Sequence, residues 1–471
     1  MTSETGPVRT SAAAVFKAYD IRGVVPDEID ADLAQRVGAA FVQVLRDEAS
    51  GAGAVDAGPR AVVVGYDMRP SSPSLAQAFA QGAAEQGVDV TVIGLASTDE
   101  LYCASGLLDG PGAMFTASHN PAQYNGIKLC RAGAAPVGQD TGLAAIAAIV
   151  DDPEGLAPVG TPGTITTRDM LQEYASHLRS LVPLDTIRRL TVVVDAGNGM
   201  AGHTVPAVLD GLPLTVVPLY FELDGTFPNH EANPIEPENL RDLQAKVRET
   251  GADLGLAFDG DADRCFVVDE TGAVVSPSVL TALIAARELA RVPGATVIHN
   301  LITSRTVPEV VAENGGTAVR TRVGHSFIKQ RMAETGAVFG GEHSGHFYFA
   351  DFWRADSGML AALHVLAALG EQPGPLSALL AGYDRYAASG EINSVVADQT
   401  AATQRVEETF AGRDGVELDT LDGLTVSAPD WWFNLRPSNT EPLLRLNVEA
   451  ADQSMMEAVR DEVLATIGGG G

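Results

Sequence analysis

One arrangement of apolar and polar positions recurs three times along this chain. Residues 61–65 (AVVVG) form an apolar run, followed by a polar turn (YDMRPSSP), a helical stretch (LAQAFAQGAAEQ) and a second apolar run (VDVTVIGL). Residues 191–195 (TVVVD) start it again, with AGNGMAG as the turn, HTVPAVLDG as the helical stretch and LPLTVVPLY as the closing run. Residues 295–299 (ATVIH) do so once more, through NLITS and RTVPEVVAENG to TAVRTRVG. Strand, tight turn, helix and strand at this spacing predict βαβ units. The predicted strands are rich in valine and barely alternate, as expected of sheets covered on both faces.

Units this far apart predict three α/β domains rather than one large sheet. Beyond residue 415 the pattern changes: LTVSAP, WWFNLR and LLRLNVEA read as strands, and SMMEAVRDEVLATI reads as a closing helix. That composition predicts a small α+β domain. The stretch 386–400 (YAASGEINSVVADQT) reads as a linker or entry strand, and the terminal GGGG as disordered.

Bulk properties narrow the function. With 471 residues the chain has room for about two to four domains. Its 45% apolar and 20% charged content is globular. A formal net charge of −30 argues against nucleic acid, whose phosphates need a basic surface. An anionic ligand would have to be held by a few placed arginines and lysines. Cys103, Cys130 and Cys265 are far apart, so neither a disulfide framework nor a cysteine zinc site is expected. The N-terminus lacks a signal-peptide pattern, and no apolar run approaches the ~20 residues of a membrane helix. These features predict a soluble cytoplasmic protein with no membrane partner.

The sharpest local signal is GLAFDGDADRCFVVDE (255–270), where Asp259, Asp261 and Asp263 alternate between two strand-like runs. Three carboxylates this close repel one another unless a cation sits among them. Magnesium suits all-oxygen ligands, but three side chains leave its octahedron incomplete. An EF-hand loop would match the three aspartates and Glu270, yet Arg264 stands where that loop needs glycine, and the flanks read as strands. A phosphatase-like aspartyl nucleophile and a solvated acidic turn are the other readings, and the metal site is preferred to both.

Ser118 lies in FTASHNPAQYNG (115–126). A hydrolase elbow would need flanking glycines, which T-A-S-H-N lacks, and His119, as the next residue, is expected to point away from the serine. Phosphorylated, Ser118 would add about −1.5 to −2 charges and acceptor oxygens. One of those oxygens would complete the shell that the aspartates leave open. In RPSNTEP (436–442), with Arg445 just beyond, Arg436 offers a planar fork, while Ser438, Asn439 and Thr440 offer further donors. Pro437 and Pro442 favour a loop there, which suits phosphate. In GGEHSGHFYFADFW, Glu342, Ser344 and His346 alternate, and an extended segment would set them on one face for sugar hydroxyls. RVGHSFIK adds His325 and Lys329.

Taken in order, FKAYDIRG (16–23), TASHNP, DGDADR, GEHSGH and RPSNTEP resemble the α-D-phosphohexomutase family over nearly the whole chain, most closely its phosphomannomutase and phosphomannomutase/phosphoglucomutase members. The resemblance implies three consecutive α/β domains of related topology (1–160, 161–271 and 272–388) and a smaller C-terminal α+β domain (389–471) around a central cleft. These would carry the phosphoserine, metal, sugar and phosphate loops in turn. It implies a phosphorylated Ser118, and Mg2+ on Asp259, Asp261, Asp263 and a phosphoserine oxygen. It places Arg22, His119, Lys128 and Arg264 near the transferring phosphoryl and Tyr19 near the sugar. Glu342 and Ser344 would choose the sugar, RPSNTEP would hold the far phosphate, and His325 or His346 would assist proton transfer. The implied activity is a phosphomannomutase working through a hexose 1,6-bisphosphate, which also serves as activator, on small hexose phosphates. Phosphoglucomutase and phosphoglucosamine mutase are the alternatives within the family, a magnesium-dependent sugar phosphatase and a non-catalytic sugar-phosphate binding protein are those outside it, and monomer and dimer both stay open. Two positions depart from the family's pattern: His343 stands where methionine is expected, and Ile302 where many members carry lysine. FPNHEANPIEPENL (227–240) resembles phosphomannomutase-like members and favours mannose.

Overall fold

The computed structural model describes residues 14–51, 58–152, 156–437 and 443–468. Contacts divide the chain into two compact units, one running to Val275 with Ser344–Leu376, the other Ser276–His343 with the residues from Ser377 onward.

The first unit holds two α/β sheets. In one, the strand Ala61–Tyr66 lies between Asp89–Leu95 and Gly112–Phe115, parallel to both. Tyr124–Arg131 then runs antiparallel beside Gly112–Phe115, and Ile21–Val24 antiparallel beside Tyr124–Arg131. In the other, Leu190–Asp195 lies between Leu214–Leu219 and Leu254–Phe258, again parallel to both, with Cys265–Asp269 antiparallel on the outside. The valines show why these strands do not alternate. Val62 and Val64 pack with Leu33, Phe41, Leu75 and Phe79 of the helices Ala31–Gly51 and Ser72–Glu85. Val63, pointing to the other face, packs with Leu101 of the helix Thr98–Leu107 and with Met114. Both faces are covered, so every position is apolar.

Ser344–Leu376 completes this unit. It forms an antiparallel pair, Phe347–Phe349 with Ala355–Asp356, and the wholly buried helix Gly358–Gly370. Ser357 caps that helix by accepting from Leu360 N, and its own hydroxyl donates to Asp99 at 2.6 Å. Tyr174 donates to the same carboxylate at 2.8 Å. Burial pushes the Asp99 carboxyl up to about 7 despite these donors.

In the second unit, Thr296–Asn300 lies parallel between Thr317–Thr321 and Phe339–Gly341, the same central triplet as in the first two sheets. The predicted α+β tail is an antiparallel sheet in the order Ala387–Val395, Leu443–Ala450, Trp431–Pro437, Leu424–Ser427, Glu417–Asp419. Helices Gln399–Phe410 and Gln453–Gly468 bury Val406, Phe410, Val459 and Val463 against it. The stretch read as a linker or entry strand is therefore the strand Ala387–Val395. Of the terminal glycines, Gly468 closes the last helix and 469–471 lie outside the described residues. The three cysteines are buried thiols, and no disulfide joins them. Among the described residues no helix is long and apolar enough to cross a membrane.

The helix Ala31–Gly51 was not read from the apolar pattern, and its position depends on two glycines. A Cβ on Gly82 would stand 1.9 Å from Gln35 O, and one on Gly38 would stand 2.2 Å from Phe79 O. The helices cross backbone to backbone there, and neither carbonyl has room to yield. Gly82→Ala is expected to cost about 1–3 kcal/mol by overpacking, read as a lowered thermal midpoint. An unchanged midpoint would mean the helices separate freely.

Candidate active site

The acidic loop is the turn of the hairpin Leu254–Phe258 and Cys265–Asp269, so its flanks are strands and an EF-hand is excluded. Asp259, Asp261 and Asp263 are at most 1% exposed, and their carboxylate oxygens lie within 4.8 Å of one another. Two cations answer them. Lys128, on the strand Tyr124–Arg131, donates to Asp261 Oδ2 at 2.7 Å and Asp263 Oδ2 at 2.6 Å. Arg264 Nε donates to Asp259 Oδ2 at 2.8 Å. Thr98 donates its hydroxyl to Asp261 at 2.6 Å and its backbone N–H to Asp261 O at 3.0 Å.

Three carboxylates against two cations leave one negative charge uncompensated. Burial pushes Asp259 up to about 7 against the pull of Arg264. Burial also opposes ionisation of Asp261, but the Lys128 ammonium overrides it and holds that carboxyl well below the ordinary range. Asp261 Oδ1 and Asp263 Oδ1 are buried and have no hydrogen-bond partner among the described residues. A surplus negative charge, an all-oxygen donor set and two unpartnered carboxylate oxygens fit a hard divalent cation.

Ser118 faces this loop, its Oγ donating to Asp259 Oδ2 at 2.7 Å. Its backbone is left-handed (φ 50°), and its N–H donates to Thr116 Oγ1 at 2.9 Å. The left-handed turn corrects the expectation for His119. Its Nδ1 stands 3.3 Å from Ser118 Oγ rather than pointing away, because a left-handed residue brings successive side chains toward one side. Burial, with Arg264 and Arg22 nearby, pushes His119 down to about 2, so it stays neutral. Arg22 Nη1 donates to Asn120 Oδ1 at 2.6 Å. Tyr19 lies half-buried in the bend before Ile21–Val24.

The first unit thus gathers Ser118, His119, Arg22, Lys128, Arg264, the three aspartates and His346. His346 Nε2 lies 3.7 Å from Asp263 and 4.0 Å from Asp356, and His346 Nδ1 lies 3.0 Å from Ser344 Oγ. The expected extended segment is instead a turn over 342–346, with Gly345 at φ 85°, so alternation does not set Glu342, Ser344 and His346 on one strand face. Sequence reasoning missed Thr98, Thr116 and Asn120, ordinary polar residues that only the fold brings to the loop.

In the second unit, Glu342 is buried and accepts from Asn300 Nδ2 at 3.2 Å. Arg436 and Arg445 sit directly opposite each other on antiparallel strands, a repulsive pairing. Glu391 answers both at 3.6 and 3.5 Å, which among the described residues leaves one positive charge over, and the Nε of each arginine is buried with no hydrogen-bond partner among those residues. That surplus fits an anion. Ser438, Asn439 and Thr440 lie outside the described residues. His325 opens the helix His325–Thr335, its side chain outside the described atoms, and Lys329 is buried one turn on. Ile302 and His343 line one cavity of about 140 Å³ with Trp432 and Glu449.

Four family models match along the chain: the phosphoglucomutase/phosphomannomutase α/β/α domains I, II and III at residues 13–155, 172–272 and 277–386, and the C-terminal domain at 391–466. The chain belongs to the phosphoglucomutase/phosphomannomutase family. A phosphomannomutase from Escherichia coli is 40% identical over 96% of this chain and 98% of its own. A protein named for phosphohexose mutases from Xanthomonas campestris is 43% identical over 95% and 98%. A solved phosphoglucomutase/phosphomannomutase family protein from Burkholderia thailandensis superposes with a TM-score of 0.87 at 33% identity, covering 98% of this chain and 99% of that one. As a member of this family the protein is an isomerase of the phosphohexomutase type.

The cation fit is open to direct measurement. Manganese titrated into the enzyme and followed by electron paramagnetic resonance should bind at one site per chain, and Asp261→Asn should weaken it by roughly tenfold or more. Undiminished binding in that variant would place the cation elsewhere.

Proposed function

We propose that this phosphohexomutase interconverts mannose 1-phosphate and mannose 6-phosphate, with Ser118 as the phosphoryl carrier. The observation that carries the reading is Ser118 Oγ held 2.7 Å from Asp259 in a left-handed turn over the acidic loop. The phosphomannomutase names among its relatives, and FPNHEANPIEPENL, support mannose.

In the proposed cycle a sugar hydroxyl oxygen attacks the phosphoryl on Ser118. The new O–P bond forms as the Oγ–P bond breaks, the hydroxyl proton leaves to a base, and a hexose 1,6-bisphosphate results. The bisphosphate then turns over and returns its other phosphoryl to Ser118, the sugar oxygen regaining a proton. A trace of free bisphosphate reloads serine that has lost its phosphoryl, which makes it an activator. Phosphoryl transfer depends chiefly on alignment and neutralised charge. Lys128, Arg264 and Arg22 supply fixed positive charge around Ser118. His119, neutral to about pH 2, is a poor base and serves as a hydrogen-bond partner of the serine. His346, beside Asp263, is the imidazole assigned to proton transfer, ahead of His325.

Mg2+ is the proposed cation, held by Asp259, Asp261, Asp263 and an oxygen on Ser118, and when bound it neutralises phosphoryl charge. Arg436 and Arg445, one positive charge in excess of Glu391, are assigned to the non-reacting phosphate, with Ser438, Asn439 and Thr440 beside them. Tyr19, Glu342 and Ser344 are assigned to the sugar.

Phosphorus NMR on mannose, glucose and glucosamine 1-phosphates, each with magnesium and a trace of hexose bisphosphate, tests the reading. The 6-phosphate signal should grow fastest from mannose and be absent with Ser118→Ala. Release of free phosphate would indicate a phosphatase, and a faster glucose or glucosamine reaction would rename the substrate. Arg436→Ala should raise KM for the sugar phosphate while Ser118 still takes up phosphoryl from the bisphosphate. Equal loss of both would remove the division of labour between the two loops.

A further inference from the structure

The turn that presents Ser118 is built around one buried side chain, that of Arg69. Arg69 is fully buried, and all five of its guanidinium N–H groups find acceptors. Nη2 donates to Ser118 O at 2.9 Å and Asn120 O at 2.7 Å. Nη1 donates to Pro121 O at 2.8 Å and Tyr124 O at 3.0 Å. Nε donates to Asp67 Oδ2 at 3.2 Å. Asp67 directly follows the strand Ala61–Tyr66, and its Oδ1 accepts from Arg69 N at 3.0 Å and Ser72 Oγ at 2.6 Å. Carbonyls spread over residues 118–124 therefore converge on one planar fork that is fastened to the sheet.

That arrangement answers a local cost. A non-glycine residue held left-handed costs about 1–3 kcal/mol and persists where its surroundings over-determine it. Arg69 gives the carbonyls at Ser118, Asn120, Pro121 and Tyr124 fixed partners, so the turn cannot relax without leaving donors of a buried cation empty.

Part of FPNHEANP closes over the arginine. The Phe227 ring centroid lies 5.1 Å from the guanidinium carbon. Two residues earlier, Gly225 lets backbone meet backbone, since a Cβ there would stand 2.6 Å from Arg69 Cα. The same loop is tied down by Asn229 Nδ2 donating to Asn198 Oδ1 at 2.8 Å and by His230 Nε2 at 3.0 Å from Asp195 Oδ2. One α/β domain thus covers the serine turn of the other.

We propose that Arg69 is a positioning residue for phosphoryl transfer, its fork fixing the turn so that Ser118 Oγ faces the acidic loop, with Phe227 as its cover. The proposal rests on the reading that Ser118 carries the phosphoryl group. A purely architectural arginine would change how much protein folds and leave the chemistry of the folded fraction alone. A positioning arginine changes the rate at which Ser118 is loaded.

Loading from glucose 1,6-bisphosphate isolates that step: the Oγ–P bond forms, the sugar O–P bond breaks, and the serine proton ends on the released sugar oxygen. Labelled bisphosphate is mixed with full-length wild type, Arg69→Lys, Phe227→Leu and Ser118→Ala, and label on the protein is followed by rapid quench beside circular dichroism. Lysine keeps the charge but not the fork. Folded Arg69→Lys should load about 100-fold more slowly, the scale of a small misplacement of reacting groups. Its half-saturating bisphosphate concentration should change little. Phe227→Leu should load more slowly than wild type while remaining folded. Wild-type loading in folded Arg69→Lys, or a loss confined to half-saturation, overturns the proposal. Should Arg69→Lys not fold, wild-type loading in Phe227→Leu overturns it. Label on Ser118→Ala would remove the serine reading and the proposal with it. An unlabelled Ser118→Ala beside a fast Arg69→Lys would remove the positioning role alone.

Discussion

Burying three carboxylates within one five-residue turn is the constraint on which the first unit depends. Each buried ion carries a desolvation penalty of several kcal/mol, which proximity to the other two increases. The structure offsets it with two groups drawn from distant chain segments, Lys128 from the strand Tyr124–Arg131 and Thr98 from the helix Thr98–Leu107, and with Arg264 from the hairpin itself. Lys128 and Thr98 reach the loop only because the two α/β sheets of this unit pack together. The electrostatics of one turn therefore demand the tertiary arrangement around it.

The offset is incomplete, and the residue of charge is informative. In the first unit three carboxylates exceed Lys128 and Arg264 by one negative charge, and two of their oxygens are unpartnered. In the second, among the described residues, Arg436 and Arg445 exceed Glu391 by one positive charge. A fold with no ligand to bind would gain by neutralising either site, since an unpaired buried charge is more costly than a buried apolar contact. Surpluses of opposite sign in the two units suit a chemistry that needs a cation at one site and a phosphate at another.

Position matters beside charge. Ser118 is held left-handed and the 342–346 turn passes through a left-handed glycine. Both break the periodic placement that simple alternation predicts. That is why His119 stands beside the serine. Functional turns depart from regular backbone because regular backbone cannot bring neighbouring side chains to the same point.

The sequence by itself determined the repeated βαβ units, because an unalternating valine run such as Val62–Val64 has few fates other than a strand covered on both faces. It determined the acidic loop as well, since like charges at that spacing carry their own physical consequence. The helix Ala31–Gly51 was less legible, because its placement depends on Gly38 and Gly82 meeting carbonyls of another helix. Arg69 was invisible for the same kind of reason: in YDMRPSSP it reads as a solvated turn residue, and only the fold makes it a fully buried fork. Local patterning specifies elements and like-charge clusters, which act over a few residues. Which distant donor reaches which carbonyl was decided by tertiary packing alone, because hydrogen bonds are satisfied in space and leave no period in the chain.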